Sequence, residues 1–444
     1  MSCDVVIVGA CTAGTYFSWL LAQRGLKVTV IDKEAEENLC KRLDIFHFTR
    51  DSYEKFGVEE SKEGDEEFVR NFDECYTKSA LDRYPKLSST KVAVLHLPLF
   101  IKRLRKQAKA AGVEFLFEEE FDRVKYDGQG RIAGIVTKSG REIDARLVVD
   151  ASGIPSVVRR SLDDPFMETF EIGPRDKFYV LLKYVQLKDP ADKVTLSTSW
   201  PYYKGWIAPQ HHGDGAIIGV GASLSYDYAR KCMETFEGAV KLPPYQLQYE
   251  ELGCTPYRRP PYSFVTDGFL VIGDAACLTK PFNGEGVPSA WTQCAPAADI
   301  VAQALRDGAY PTKEALWPVN VLYQRGEGRE FAAARALLIG AVQMSPQDND
   351  FLFQHSIVFK SDDEPDNPHI VPALLKGTAA GQFSLDALKA LASGLNHARK
   401  LDYLYARYPS TPRGYQGWRL YADELWAKVG SMADTVTDSG AANA

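Results

Sequence analysis

The sequence predicts an α/β fold joined to a β-rich unit and a helical C-terminal region, on three observations. The chain opens with strand, glycine turn, helix and strand inside about thirty residues, a compact βαβ unit. From Phe178 to Ser223 it becomes rich in β-type segments. Beyond Tyr310 it turns helical and aromatic. With 444 residues and 45% apolar content, there is room for two or three packed units. The net charge of -7 and a pI near 5.7 disfavour nucleic acid or anionic lipid as partners, since both need a positive field.

Taken in order, "DVVIVG" reads as a strand, "AGTYFSWLLAQRG" as a helix and "KVTVID" as the next strand. Phe17, Leu20 and Leu21 share one face of that helix, and Gly25 is a C-terminal stop signal. A second helix, "LFIKRLRKQAKAAG", leads to the strand "VEFLFE", and "DGQG" makes a hairpin turn within "FDRVKYDGQGRIAGIVTKSG". "REIDARLVVDASG" reads as a buried strand ending in a glycine turn. "KFYVLLKYVQL", "KVTLSTSW" and "AIIGVGAS" predict an antiparallel sheet. "GFLVIGDAA" predicts a strand returning to the first unit, and "VPSAWTQCAPAADIVAQALRDG" a helix. The expected division is 1–70, 92–165 and 260–308 for the nucleotide-binding unit, 71–91 and 166–259 for the β-rich unit, and 309–444 for the helical region. No apolar run is long enough to span a bilayer, and the N-terminal stretch lacks the basic flank of a signal peptide. The eight cysteines have no C-x-x-C pair and no Cys/His cluster, so the sequence suggests no metal site and no disulfide framework; they read as reduced thiols of a cytoplasmic protein.

The turn "GACTAG" carries Gly9 and Gly14 of the dinucleotide fingerprint G-x-G-x-x-G, with Cys11 in the middle glycine's place. Such a loop brings backbone N–H groups and a helix N-terminus against a pyrophosphate. A β-carbon at the middle position crowds the phosphate, and Cys11 is small enough for a slightly longer approach. Asp32 follows about twenty residues later at a strand end, where an acid accepts hydrogen bonds from ribose hydroxyls. An ordinary tight turn and a solvated strand-end acid are the plain alternatives for each feature alone.

Two more motifs select the dinucleotide. "DASGIPSVVRR" supplies Asp150, Gly153, Ser156 and Arg159. "GFLVIGDAACLTKPFNGEGV" supplies Gly273, Asp274, Pro281, Gly284 and Gly286 before a helix starting at Val287. Together these resemble the signatures of the flavoprotein hydroxylase and geranylgeranyl reductase superfamily. The resemblance implies a Rossmann-like FAD-binding domain of p-hydroxybenzoate-hydroxylase type, an antiparallel substrate domain, and FAD in an extended pose. It places Asp274 at the ribityl chain and the Pro281 to Gly286 turn under the flavin pyrimidine, where a helix N-terminus favours the anion of reduced flavin. "YYKGWIAPQHHGDGAIIGVG" resembles the aromatic and proline signature of geranylgeranyl reductases, which makes Tyr203 and Trp206 candidate substrate-facing residues. In "ENLCKRLDIFHF", Cys40 falls where those reductases carry a cysteine near the flavin. It is a candidate proton donor or redox thiol, with Lys41 or Arg42 to lower its pKa and Arg42 at the cofactor; a plain free cysteine is the alternative. His47 and the pair His211–His212 are candidate general acids. Cys277 stands where relatives carry glycine, and Leu97 where many carry an arginine.

The implied activity is hydride transfer from reduced FAD to a carbon–carbon double bond of an apolar or aromatic-bearing small-molecule substrate. A monooxygenase or halogenase on the same fold is the alternative; Lys204 in the first Trp place of a W-x-W-x-I-P pattern counts against the halogenase. A flavin carrier without turnover is a third reading. The electron donor is open between NAD(P)H and reduced ferredoxin or flavodoxin.

Overall fold

The computed structural model describes residues 2–41, 45–188, 197–199, 203–211, 215–240, 244–281, 284–341 and 344–440. Arg42 and His212 lie outside them, as does the side chain of Tyr203.

The first strand, Ser2–Val8, is the centre of an eight-stranded sheet. It pairs in parallel with Val28–Ile31 on one side and Glu142–Asp150 on the other. Glu114–Leu116 and Phe269–Val271 extend the parallel order outward. These strands are near-continuous apolar runs, and the helices Thr12–Gln23, Leu97–Ala110 and Val287–Ala304 pack against one another beside the sheet. Thr12–Gln23 and Val287–Ala304 pack together, with Tyr16 stacked on Trp291 at 4.1 Å between ring centroids. The hairpin of Phe121–Tyr126 and Ile132–Thr137 forms as expected and adds antiparallel strands.

A second sheet has seven strands in the order Tyr245–Pro256, Lys177–Leu187, Gly215–Ala222, Tyr203–Pro209, Ser197–Ser199, Cys75–Lys78 and Lys86–Ser88. Its pairs are antiparallel except Ser197–Ser199 with Cys75–Lys78. One face is covered by the helix Tyr226–Ala239, whose Cys232, Met233 and Phe236 pack on Leu181, Val185, Ile218 and Val220. A three-stranded sheet of Ile45–Thr49, Val92–His96 and Phe68–Phe72 completes the β structure among the described residues. The C-terminal helices, including Leu385–Tyr405 and Tyr415–Gly440, pack on the first unit through Tyr405, Tyr408, Tyr415 and Trp418.

The cysteines need one correction. Six are free thiols, but Cys11 and Cys40 form a disulfide with Cα atoms 6.0 Å apart. The loop after the second strand folds back across the start of the first helix. Two positions 29 residues apart give no hint of that return in the sequence.

Candidate functional site: a glycine loop, a second helix start and a crevice

The opening loop is built around two close approaches. Gly9 has φ +113, and a Cβ there would lie 2.2 Å from the Ala151 carbonyl oxygen. At Gly14 a Cβ would lie 1.9 Å from the Gly9 carbonyl oxygen. Only glycine lets the helix begin this near the strands. The helix N-terminus behind the loop has no acidic residue in its first turn and no side-chain cap, so its N–H groups and dipole are left for an anion. Asp32 ties the loop down: its Oδ2 accepts from the Ala10 N–H at 2.7 Å and its Oδ1 from the Glu34 N–H at 2.9 Å.

Asp150 and its neighbours turn out to be structural. Its buried carboxylate accepts from the N–H groups of Ser152, Val158 and Arg159 and from the hydroxyls of Ser152 and Ser156. That set closes the turn containing Gly153 at φ +74. Arg159, fully buried, donates from Nε to Ser156 Oγ at 2.8 Å and to the Ala275 carbonyl at 3.3 Å. The motif thereby locks the end of the third parallel strand to the "GDAA" turn.

Gly273 and Asp274 open that turn, and a Cβ on Gly273 would touch the Cβ of Ala13 at 2.8 Å. The two glycine-rich segments thus meet at the first helix. Burial raises the pKa of Asp274, and a 2.8 Å hydrogen bond from the Thr279 hydroxyl works against that rise. A Cβ at Gly286 would meet the same hydroxyl at 2.9 Å, so Asp274, Thr279 and Gly286 form one compact corner. From it starts the helix Val287–Ala304, again without acidic first-turn residues or a side-chain cap. Two uncapped helix starts joined by close-packed glycines fit an extended dinucleotide carrying negative charge.

Facing this corner is the strand Tyr203–Pro209. Residues at odd separation in a strand point to opposite faces, so positions 203 and 206 do not share one. Trp206 shares its face with Lys204, whose Nζ lies 5.9 Å from the indole centroid. Gly219, opposite Trp206 in register, is required because a Cβ there would sit 2.1 Å from the indole. Lys204, Phe178 and Tyr257 line a small crevice whose far wall is Thr279, Pro281 and Gly284. Sequence reasoning missed Lys204 as a site residue. The period of two along this strand was the signal that could have found it.

His47 does not fit the role of a general acid. Burial, with the Lys204 charge adding to it, pushes His47 down to about 3, so it is neutral at physiological pH. His211 stacks on His96 at 4.3 Å, and its Nε2 lies 2.7 Å from the Glu66 carbonyl. Cys40, as half of a disulfide, has no thiol to ionise in this state. Lys41 binds Asn38 Oδ1 at 2.7 Å, and Leu97 begins the helix Leu97–Ala110.

A parallel sheet with a glycine phosphate loop, a strand-end acid and a second helix start at the sheet's edge defines an FAD-dependent oxidoreductase. Residues 2–210 match the family model described as the FAD binding domain. Over 446 aligned residues the chain is 22% identical to digeranylgeranylglycerophospholipid reductase of Sulfolobus acidocaldarius, covering 95% of this chain and 97% of that one. It is 27% identical to menaquinone reductase of Mycobacterium tuberculosis over 373 residues, covering 76% and 84%. Its fold is similar to that of a geranylgeranyl bacteriochlorophyll reductase-like protein from Thermoplasma acidophilum, with a TM-score of 0.72, 18% identity, and coverage of 88% and 99%. The chain carries an FAD binding domain over residues 2–210 and is similar to geranylgeranyl reductases in sequence and fold. Among the described residues no helix is long and apolar enough to cross a membrane, and no three His, Cys, Asp or Glu side chains cluster as metal ligands.

Proposed function

We propose that the protein is a reductase that saturates a carbon–carbon double bond in an isoprenoid chain. What supports this reading is the likeness, over 95% of this chain and 97% of the relative, to a digeranylgeranylglycerophospholipid reductase. The small crevice opposite the Pro281 to Gly284 turn is lined by Phe178, Pro256 and Tyr257 together with Lys204 and Lys280. A digeranylgeranyl lipid and a menaquinone, the compounds named for two relatives, both carry unsaturated prenyl chains.

FAD, when bound, supplies the hydride. The chain's own residues do the rest. The Gly9 to Gly14 loop and the Thr12 helix start hold the pyrophosphate, with Asp32 at the adenosine ribose. Gly153 shapes the neighbouring turn, and Asp274 takes a ribityl hydroxyl. The turn of Pro281, Gly284 and Gly286, with the helix start at Val287, would hold the pyrimidine end of the flavin, where a helix N-terminus favours the anion of reduced flavin. Trp206 packs against the substrate chain and excludes water. Reducing equivalents come from NAD(P)H or from a reduced ferredoxin or flavodoxin.

The test is a single turnover without oxygen. Photoreduced, FAD-loaded protein is mixed with a digeranylgeranyl glycerophospholipid or menaquinone in detergent, and the products are weighed by mass spectrometry. Flavin reoxidation with a gain of two hydrogens supports the reading. Turnover only with oxygen, and uptake of labelled oxygen into product, overturns it in favour of a monooxygenase.

A further inference from the structure

We propose that Lys204 is the proton donor of this reaction, giving H⁺ from its ammonium to the alkene carbon next to the one that takes hydride. The proposal rests on the reductase reading above. Lys204 shares its strand face with Trp206 and reaches the crevice wall opposite Pro281 and Gly284, the turn assigned to the flavin. In the reductase reading this puts the ammonium on the wall that faces the turn assigned to the flavin.

The charged and titratable groups around it leave the role to Lys204. From the three-stranded sheet comes His47, which is neutral and has no proton to give. From the turn come Glu285, whose charge favours the ammonium, and Lys280, which pairs with Glu327 at 2.7 Å and Glu285 at 3.9 Å. Asp274 lies behind Thr279 and is bonded to it. From the end of the strand Tyr245–Pro256 comes Tyr257, whose ring is covered by the Arg335 guanidinium at 3.9 Å. Burial lowers the pKa of Lys204 to about 8, against the pull of Glu285. It is therefore still protonated at neutral pH, yet a stronger acid than an ordinary lysine.

The step balances. The alkene π pair and the hydride's pair become two C–H bonds, one carbon receiving the hydride and its neighbour the Lys204 proton. The neutral amine then regains H⁺ from water, and the two electrons come from the external donor by way of the cofactor.

The experiment uses the full chain loaded with FAD, the digeranylgeranyl lipid as probe, and Lys204→Met and Lys204→Arg. Below pH 8 both variants should reduce the probe at least about 100-fold more slowly than wild type, the usual scale for losing a general acid. Wild-type turnover should fall tenfold per pH unit above about 8. Arginine keeps the charge but cannot give up a proton, so rescue by Lys204→Arg would reassign the residue to charge stabilisation and overturn the proposal. An independent readout is NMR of protein labelled with ¹³Cε-lysine. The resonance missing from Lys204→Arg should titrate near pH 8, and titration with the surface lysines overturns the proposal. Lys204→Met should keep the circular dichroism spectrum and bound FAD of wild type, so slow turnover cannot be put down to misfolding or cofactor loss. If wild type itself reduces no probe, the reductase reading fails; if the variants keep wild-type rates, only the Lys204 role does.

Discussion

Cys277 shows how one residue records what its backbone needs. It follows "GDAA" with φ +55 and ψ +41, the left-handed region that a side chain occupies at a cost of about 1–2 kcal/mol. Its thiol is fully buried, and burial pushes its pKa up to about 12, so it is inert as a nucleophile. Substitution by glycine relieves the backbone and empties a small buried volume, two effects of similar size. Cys277→Gly should therefore stay within about 1 kcal/mol of wild type in urea unfolding. Cys277→Val puts a branched β-carbon in the same conformation and should lose about 2 kcal/mol or more. Equal stability of the two variants would show that the backbone there is not the deciding factor.

At the scale of elements, the Cys11–Cys40 bond ties the start of the first helix to the loop after the second strand. Closing 29 residues restrains the unfolded chain by about 3–4 kcal/mol in the chain-entropy account. The bond also fixes the segment beside the phosphate loop before FAD arrives, which lowers the ordering cost of binding. Cys40→Ser, Cys11→Gly and wild type treated with dithiothreitol should share one weakened FAD affinity and one lowered melting temperature. Stronger FAD binding by Cys11→Gly would mean that crowding at the phosphate outweighs the tether. The local parts of these elements were legible in the sequence. The βαβ start follows from apolar runs and a glycine turn, and the stop at Gly25 is realised as a helix ending at Gln23 with Gly25 at φ +79. What was not legible depends on distant partners. Cys75–Lys78 reads as polar and half-buried, and it becomes a strand because Ser197–Ser199 pairs with it in parallel. The helix Tyr226–Ala239 is amphipathic enough to be found, but its role as cover follows only from the sheet beneath it. In the candidate site, Gly9, Gly14 and Asp32 were readable from spacing, and Asp274 with the Pro281 to Gly286 turn only through the family resemblance. The grouping of Lys204 with Trp206 needed the strand's alternation to be taken over the resemblance that favoured Tyr203.

On the scale of the whole molecule, the C-terminal helices share one core with the cofactor unit, and a buried ion pair sits where they meet. Arg259 binds Glu168 through two nitrogens at 2.7 and 3.0 Å, and the Tyr262 N–H adds a 2.6 Å bond to the same carboxylate. The guanidinium lies 3.6 Å over the Tyr262 ring, Trp418 packs edge-on to that ring, and the Tyr408 hydroxyl donates to the Tyr262 carbonyl at 2.8 Å. Burial alone would raise the Glu168 pKa, but Arg259 overrides it and holds the carboxyl below its ordinary 4.5. A depressed carboxylate pKa contributes stability that is complete above about 4.5 and is lost as pH falls through the folded-state value. Glu168→Ala leaves a buried guanidinium without its counter-charge and should cost about 3–5 kcal/mol at pH 7. Glu168→Leu combined with Arg259→Met removes both charges and should recover most of that loss, giving a large coupling energy in the double-mutant cycle. The double variant should also lose less stability than wild type between pH 5 and pH 3, since it no longer carries the shifted carboxylate. Urea unfolding followed by tryptophan fluorescence at both pH values measures each quantity. Additive single-variant losses would show that the two side chains act separately at this junction.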